Sequence, residues 1–141
     1  MIFGIGTDIV EVARIQNSIE KYGDLFLNRV FTEIEKNYCE QFKKNKYQHY
    51  AARFAAKEAF SKAIGTGITK GFIFTEIGIA NEETGKPIVM LTGGMADKWS
   101  DYEVFVTLSH TDNNALAYLI IEDVEPPIAV SEIEPLSIED V

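Results

Sequence analysis

The hydrophobic positions of the chain change period once, near its middle. Met1 to Val10 alternates, with Phe3, Ile5, Thr7 and Ile9 on one face and Gly4, Gly6 and Asp8 on the other, which predicts a strand. Two side-chain-free positions leading to a carboxylate allow another backbone or a ligand to approach closely. Val12, Ile15, Ile19 and Tyr22 then recur at helical spacing, with Gly23 as a stop. Thr32-Glu33-Ile34-Glu35 is a capping box opening a second helix, in which Ile34, Tyr38 and Phe42 recur every fourth residue. After the basic linker Lys43-Lys44-Asn45-Lys46, an alanine-rich third helix runs from about Gln48 to Ile64 and ends at Gly65-Thr66-Gly67.

Beyond Gly71 the period falls to two. Strands are predicted at Phe72–Ala80, Pro87–Leu91, Tyr102–Ser109 and Ala115–Glu122, with a short helical turn at Met95–Trp99. Glu83-Thr84-Gly85-Lys86 and Thr111-Asp112-Asn113-Asn114 have hairpin-turn composition. Helices grouped early and strands grouped late predict an α+β fold, the helices packed on a largely antiparallel sheet. Residues 1–122 form one expected domain, and 123–141 an acidic C-terminal extension containing Pro126, Pro127 and Pro135.

Composition narrows the function classes. At 141 residues, 46% hydrophobic and 25% charged, the chain can build one real core, which excludes global disorder. It has no apolar run near the roughly 18 residues a membrane span needs, and its first residues read as no secretory leader. A single cysteine, Cys39, excludes an internal disulfide and suits a reducing, cytoplasmic setting. The net charge of −9 is unevenly spread: residues 1–70 carry 11 Lys and Arg against 8 Asp and Glu, residues 71–141 carry 2 against 14. General nucleic-acid binding is therefore not expected. The basic first half fits an acidic partner or phosphates, and equally fits lysines that merely solvate helix faces.

Glu58 projects from the apolar, alanine-lined face of the third helix, where an isolated charge is costly. Two readings are open: an i,i+4 pair with Lys62, or a functional carboxylate. Asp8 on its apolar strand is either the N-cap of the first helix or a second functional acid. Two such acids suit a shared Mg²⁺, which takes few protein ligands and completes its shell with waters and phosphate oxygens. Lys62 with Gly65-Thr66-Gly67 has the makings of a phosphate cradle but lacks the P-loop pattern; a glycine C-cap explains Gly65 as well. Ser109 and His110 point to opposite faces of a strand and are not a catalytic dyad. His110 reads as a phosphate contact or as a satisfied strand-end histidine; His49 carries no signal, and Cys39 reads as packing.

Taken together the segments are specific. Gly4-Ile5-Gly6-Thr7-Asp8-Ile9 with Arg14, Phe31-Thr32-Glu33-Ile34-Glu35 leading to Tyr38-Cys39, Arg53-Phe54-Ala55-Ala56-Lys57-Glu58-Ala59 with Lys62-Ala63 and Gly65-Thr66-Gly67, then Gly85-Lys86-Pro87 and Leu108-Ser109-His110-Thr111 follow in order. Over about residues 1–122 this resembles the holo-[acyl-carrier-protein] synthases of the 4′-phosphopantetheinyl transferase superfamily. The resemblance implies that fold and the transfer of 4′-phosphopantetheine from coenzyme A to a serine of apo-acyl carrier protein, in support of fatty acid biosynthesis. It also implies Mg²⁺ on Asp8 and Glu58, a catalytic role for Glu58 and Lys62, and a homotrimer with sites between subunits. Arg53, Lys62, Gly65, Thr66, Lys86, Pro87, Ser109 and His110 fall in segments that resemble the coenzyme A cleft, and Arg14 and Lys21 a basic carrier-docking surface. The proton of the attacking serine passes to Glu58 directly or to a water on the metal; the sequence leaves both open.

Overall fold

The computed structural model describes residues 1–124. The acidic extension lies, from residue 125 onward, outside the described residues. In chain order the elements are β1 (Ile2–Glu11), α1 (Val12–Tyr22), α2 (Asp24–Val30), α3 (Glu33–Glu40), α4 (Lys46–Ala63), β2 (Ile77–Asn81), β3 (Pro87–Leu91), α5 (Gly93–Trp99), β4 (Tyr102–His110) and β5 (Asn114–Asp123). β1, β5 and β4 form an antiparallel sheet in that order, and β2 and β3 form a separate antiparallel hairpin. The α+β expectation holds, with both hairpin turns at the predicted segments.

α4 lies across one face of the larger sheet, against β1 and β5. Its alanines make the close approach possible: Ala51, Ala52, Ala55, Ala56, Ala59 and Ala63 are all buried. On β1 the glycines complete it. A Cβ on Gly6 would stand 1.8 Å from the Ala59 carbonyl oxygen, and one on Gly4 1.9 Å from that of Ala63. The glycine face of β1 therefore points inward, and its aliphatic face points out. Ile5 and Ile9 are 52% and 66% exposed, and with Phe105, Leu116 and Tyr118 they leave an uncovered apolar sheet face.

A charged pair is sealed inside. Glu35 and Lys57 are both wholly buried and 2.8 Å apart. Glu35 also closes the predicted capping box by accepting from the Thr32 N–H, and accepts from the Ile79 N–H at 3.2 Å. Lys57 Nζ donates to the carbonyls of Phe74 and Ile77 at 3.1 and 2.7 Å. Those two bonds correct the strand predicted at Phe72–Ala80. Main-chain acceptors there serve a side chain instead of a ladder, so the segment is a 3₁₀ turn at Phe74–Glu76 and pairs only from Ile77. α2 was not predicted: in its seven residues only Val30 is buried, too little for a periodic apolar face.

Candidate active site

Asp8 sits mid-strand on β1, opposite Ala117 of β5, and faces α4 where Glu58 and Lys62 emerge one turn apart. Lys62 Nζ donates to Asp8 Oδ1 and to the Thr7 carbonyl, both at 3.0 Å. The lysine thus pairs across elements and not along its helix with Glu58, so the i,i+4 reading gives way. The N-cap reading of Asp8 gives way too, because Glu11 occupies that position and makes no side-chain cap bond. The strand holds Asp8 three residues short of the helix.

The charge balance at this point is incomplete. Asp8 Oδ2 is buried and has no hydrogen-bond donor. Glu58 is half-buried, and burial, followed by the adjacent Asp8 carboxyl, holds its proton affinity above the ordinary carboxylate range. Arg14 and Lys62 pull the other way without cancelling this. Two facing carboxyls with one orphaned oxygen need a proton or a cation between them. No group of three or more His, Cys, Asp or Glu converges among the described residues. Two carboxylates with room for outside oxygens fit a hard ion such as Mg²⁺ better than a metal needing a full protein cage.

The other expected residues fall into separate places. Arg14 is exposed on α1, its guanidinium 5.7 Å from the centre of the Phe54 ring, at the edge of the acidic pair. Lys21 lies exposed in the last turn of the same helix. Gly65, at φ 86°, and Thr66 follow α4 and stay next to Lys62. Lys86 and Pro87 line a groove of about 460 Å³ between the β2–β3 hairpin and β4, with Glu103 and Phe105. Ser109 is exposed on the outer face of β4, while His110 turns to the helix side and meets His49 with ring centres 5.3 Å apart. His49 lies nine residues, about 14 Å of helix, before Glu58, so one chain does not bring His110 to the acids.

Arg53 is 1% exposed. Its guanidinium lies 4.2 Å from the centre of the Tyr38 ring and donates to the His49 carbonyl and to Asn81 Oδ1, with Nε left unpartnered. It braces α4 against α3 and the hairpin. Sequence reasoning passed over His49. It stacks on Phe42 at 3.8 Å, and burial, then Arg53 and His110, lower its pKa to about 4, so it is neutral beside His110. No periodicity marks it; only the fold brings the two histidines together. Cys39 is fully buried and its thiol is pushed up to about 12 by burial, in keeping with a packing role.

A small α+β domain with paired acids and a lysine at a strand–helix contact is equipped for phosphate-ester chemistry. The chain belongs to the 4′-phosphopantetheinyl transferase superfamily, whose family model matches residues 4–119. It is similar to the holo-[acyl-carrier-protein] synthase of Ruminiclostridium cellulolyticum, 50% identical over 120 residues that cover 83% of this chain and 90% of that one. That of Erythrobacter litoralis is 43% identical over 129 residues, covering 86% and 97%. Among solved structures, the Bacillus anthracis holo-(acyl-carrier-protein) synthase in complex with CoA (3′,5′-ADP) superposes with a TM-score of 0.74 at 38% identity, covering 88% of this chain and 99% of that one. The Neisseria meningitidis synthase gives 0.75 at 39% identity, covering 86% and 99%.

Proposed function

We propose that this chain is a holo-[acyl-carrier-protein] synthase, which moves 4′-phosphopantetheine from coenzyme A to a serine of an apo-acyl carrier protein. The serine oxygen forms a bond to the phosphorus next to pantetheine, the bond from that phosphorus to the bridging oxygen breaks, and adenosine 3′,5′-bisphosphate leaves. The observation that carries the reading is the acidic pair with its orphaned oxygen beside Lys62. Asp8 and Glu58 would hold Mg²⁺; when bound, the ion supplies positive charge against the pyrophosphate oxygens. Lys62, half exposed, adds a point charge at the same place. Glu58, the second acid beside Asp8, would take the serine proton directly unless a water takes it instead.

Coenzyme A would lie from Lys62, Gly65 and Thr66 toward Lys86, Pro87, Ser109 and His110. Within one chain His110 meets His49 and not the acidic pair, and the uncovered apolar sheet face calls for cover. A homotrimer in which a neighbouring chain brings His110 to the acids and covers the sheet face answers both needs. The acidic carrier would dock on Arg14 and Lys21, supplying holo-carrier for fatty acid biosynthesis. No helix among the described residues is long and apolar enough to cross a membrane. A cytoplasmic setting accords with the single buried thiol.

Incubation with Mg²⁺, coenzyme A and apo-carrier, read by intact mass, tests the proposal. Phosphopantetheine added to the carrier supports it. Free phosphopantetheine with an unchanged carrier would make the chain a hydrolase, and unchanged masses with a stable complex would make it a binding module.

A further inference from the structure

Around Trp99 lies a cleft that meets the coenzyme A path at Thr66 and otherwise holds none of the residues placed on that path. On one side it is a cavity of about 240 Å³ whose apolar lining includes Ile64, Phe72, Met95 and Trp99. Lys70 and Lys98 stand beside that lining with Thr66 and Thr69. Neither lysine forms an ion pair among the described residues. Lys98 is one of only two lysines after position 70, where there is no arginine, in a half of the chain with 14 acids. On its other side Trp99 borders a second cavity of about 220 Å³ with Val89, Leu91, Tyr102 and Val104. An amphipathic, anionic ligand matches both the lining and the lysines.

The chain carries such a ligand. Residues 125–141 hold five acids and no base, interleaved with Ile128, Val130, Ile133, Leu136 and Ile138. Their point of departure is also close. β5 ends at Asp123, which pairs with Tyr102, and Tyr102 packs on Trp99 with ring centres 5.0 Å apart. The first strand fixes that root: the Met1 ammonium and carbonyl bond the Asp123 carbonyl and N–H, at 3.0 and 2.8 Å, and Phe3 packs on both rings. A chain leaving there starts one ring away from the cleft.

We propose that the Trp99 cleft is a docking site for this chain's own acidic segment 125–141, its carboxylates meeting Lys70 and Lys98 and its aliphatic residues covering Trp99. A short tether supplies an effective concentration on the order of millimolar, so weak contacts are enough. The contact is salt-sensitive, because exposed pairs are screened over about 8 Å at physiological ionic strength.

The chain has a single tryptophan, so its fluorescence reports the cleft directly. Acrylamide, a neutral quencher, would be titrated against the full chain. High salt, the pair Lys70→Glu and Lys98→Glu, or the neutralised segment (Glu132→Gln, Glu134→Gln, Glu139→Gln, Asp140→Asn) should each raise the quenching constant by about twofold, the scale of one or two exposed ion pairs. Glu132→Lys with Glu134→Lys should restore shielding in the Lys70→Glu, Lys98→Glu chain, a rescue no misfolded variant gives. Quenching that ignores salt and all of these substitutions would overturn the proposal. So would shielding that arises only on adding apo-carrier, which would give the cleft to that partner, or only on raising the protein concentration, which would give it to another copy.

Discussion

Two lysines five residues apart on α4 each meet a carboxylate, and their surroundings are opposite. Lys57 and Glu35 are wholly buried. Burial lowers the pKa of Lys57 while Glu35 opposes that, and each group has a full set of partners, three acceptors for the ammonium and three donors for the carboxylate. Lys62 is 52% exposed, its Asp8 is 10% exposed, and there the count fails: one oxygen has no donor and a second carboxyl stands beside it. The difference separates two uses of the same chemistry. A completed set of partners fixes α3, α4 and the hairpin, whereas an incomplete set leaves a place for a ligand.

The contrast can be broken at its structural end first. Lys57→Met should cost about 3–5 kcal/mol, because it leaves Glu35 charged and unpaired in the core. Chemical denaturation measures it; a loss under about 1 kcal/mol would show that Glu35 takes up a proton or finds water at little cost. At the other end, Asp8→Asn and Glu58→Gln should each cut transfer by more than the roughly 10–100-fold of a ligand-orienting residue while leaving the fold intact. Near-normal transfer at low Mg²⁺ in either variant would remove the shared ion.

Reversing Arg14 and Lys21 to Glu together should raise the carrier KM roughly three- to tenfold, leave that of coenzyme A alone and weaken the salt dependence. An unchanged carrier KM across a salt series would move docking elsewhere. Folded Glu58 holds its proton more tightly than the unfolded chain does, so without divalent ions stability should fall as pH rises above the ordinary carboxylate value of 4.5. Glu58→Gln should flatten that slope, and Mg²⁺ should raise the Tm of the unaltered chain at neutral pH but not that of the variant. A Tm equally raised in both would place the ion elsewhere.

Much of the fold was legible because period and punctuation agree. Gly23 and Thr32 mark helix ends, and the two hairpins carry turn residues at the right spacing. Asp8 and Glu58 stood out as acids on apolar faces, with Lys62 one turn beyond Glu58, and the fold does bring the three together. Their pairing was not legible, since Lys62 chooses between Asp8, distant in sequence, and Glu58, one turn away, according to where β1 crosses α4. Lys57 was hidden inside a motif whose residues read alike, and the Lys57 bonds to Phe74 and Ile77 carbonyls replaced part of a strand that alternation alone predicts. His49 meets His110 only because α4 begins over the end of β4.

The contact of Gly4 and Gly6 with α4 reaches further than packing. Strand and helix meet there main chain to main chain, so the spacing of the backbones that carry Asp8 and Glu58 is set by parts with no rotamers. It cannot be retuned by small adjustments of neighbouring side chains, as a gap lined by leucines can. Even one methyl group on Gly6 must lift α4 off the sheet and carry Glu58 away from Asp8. The width of the acidic gap is thus encoded at residues that bear no functional group at all.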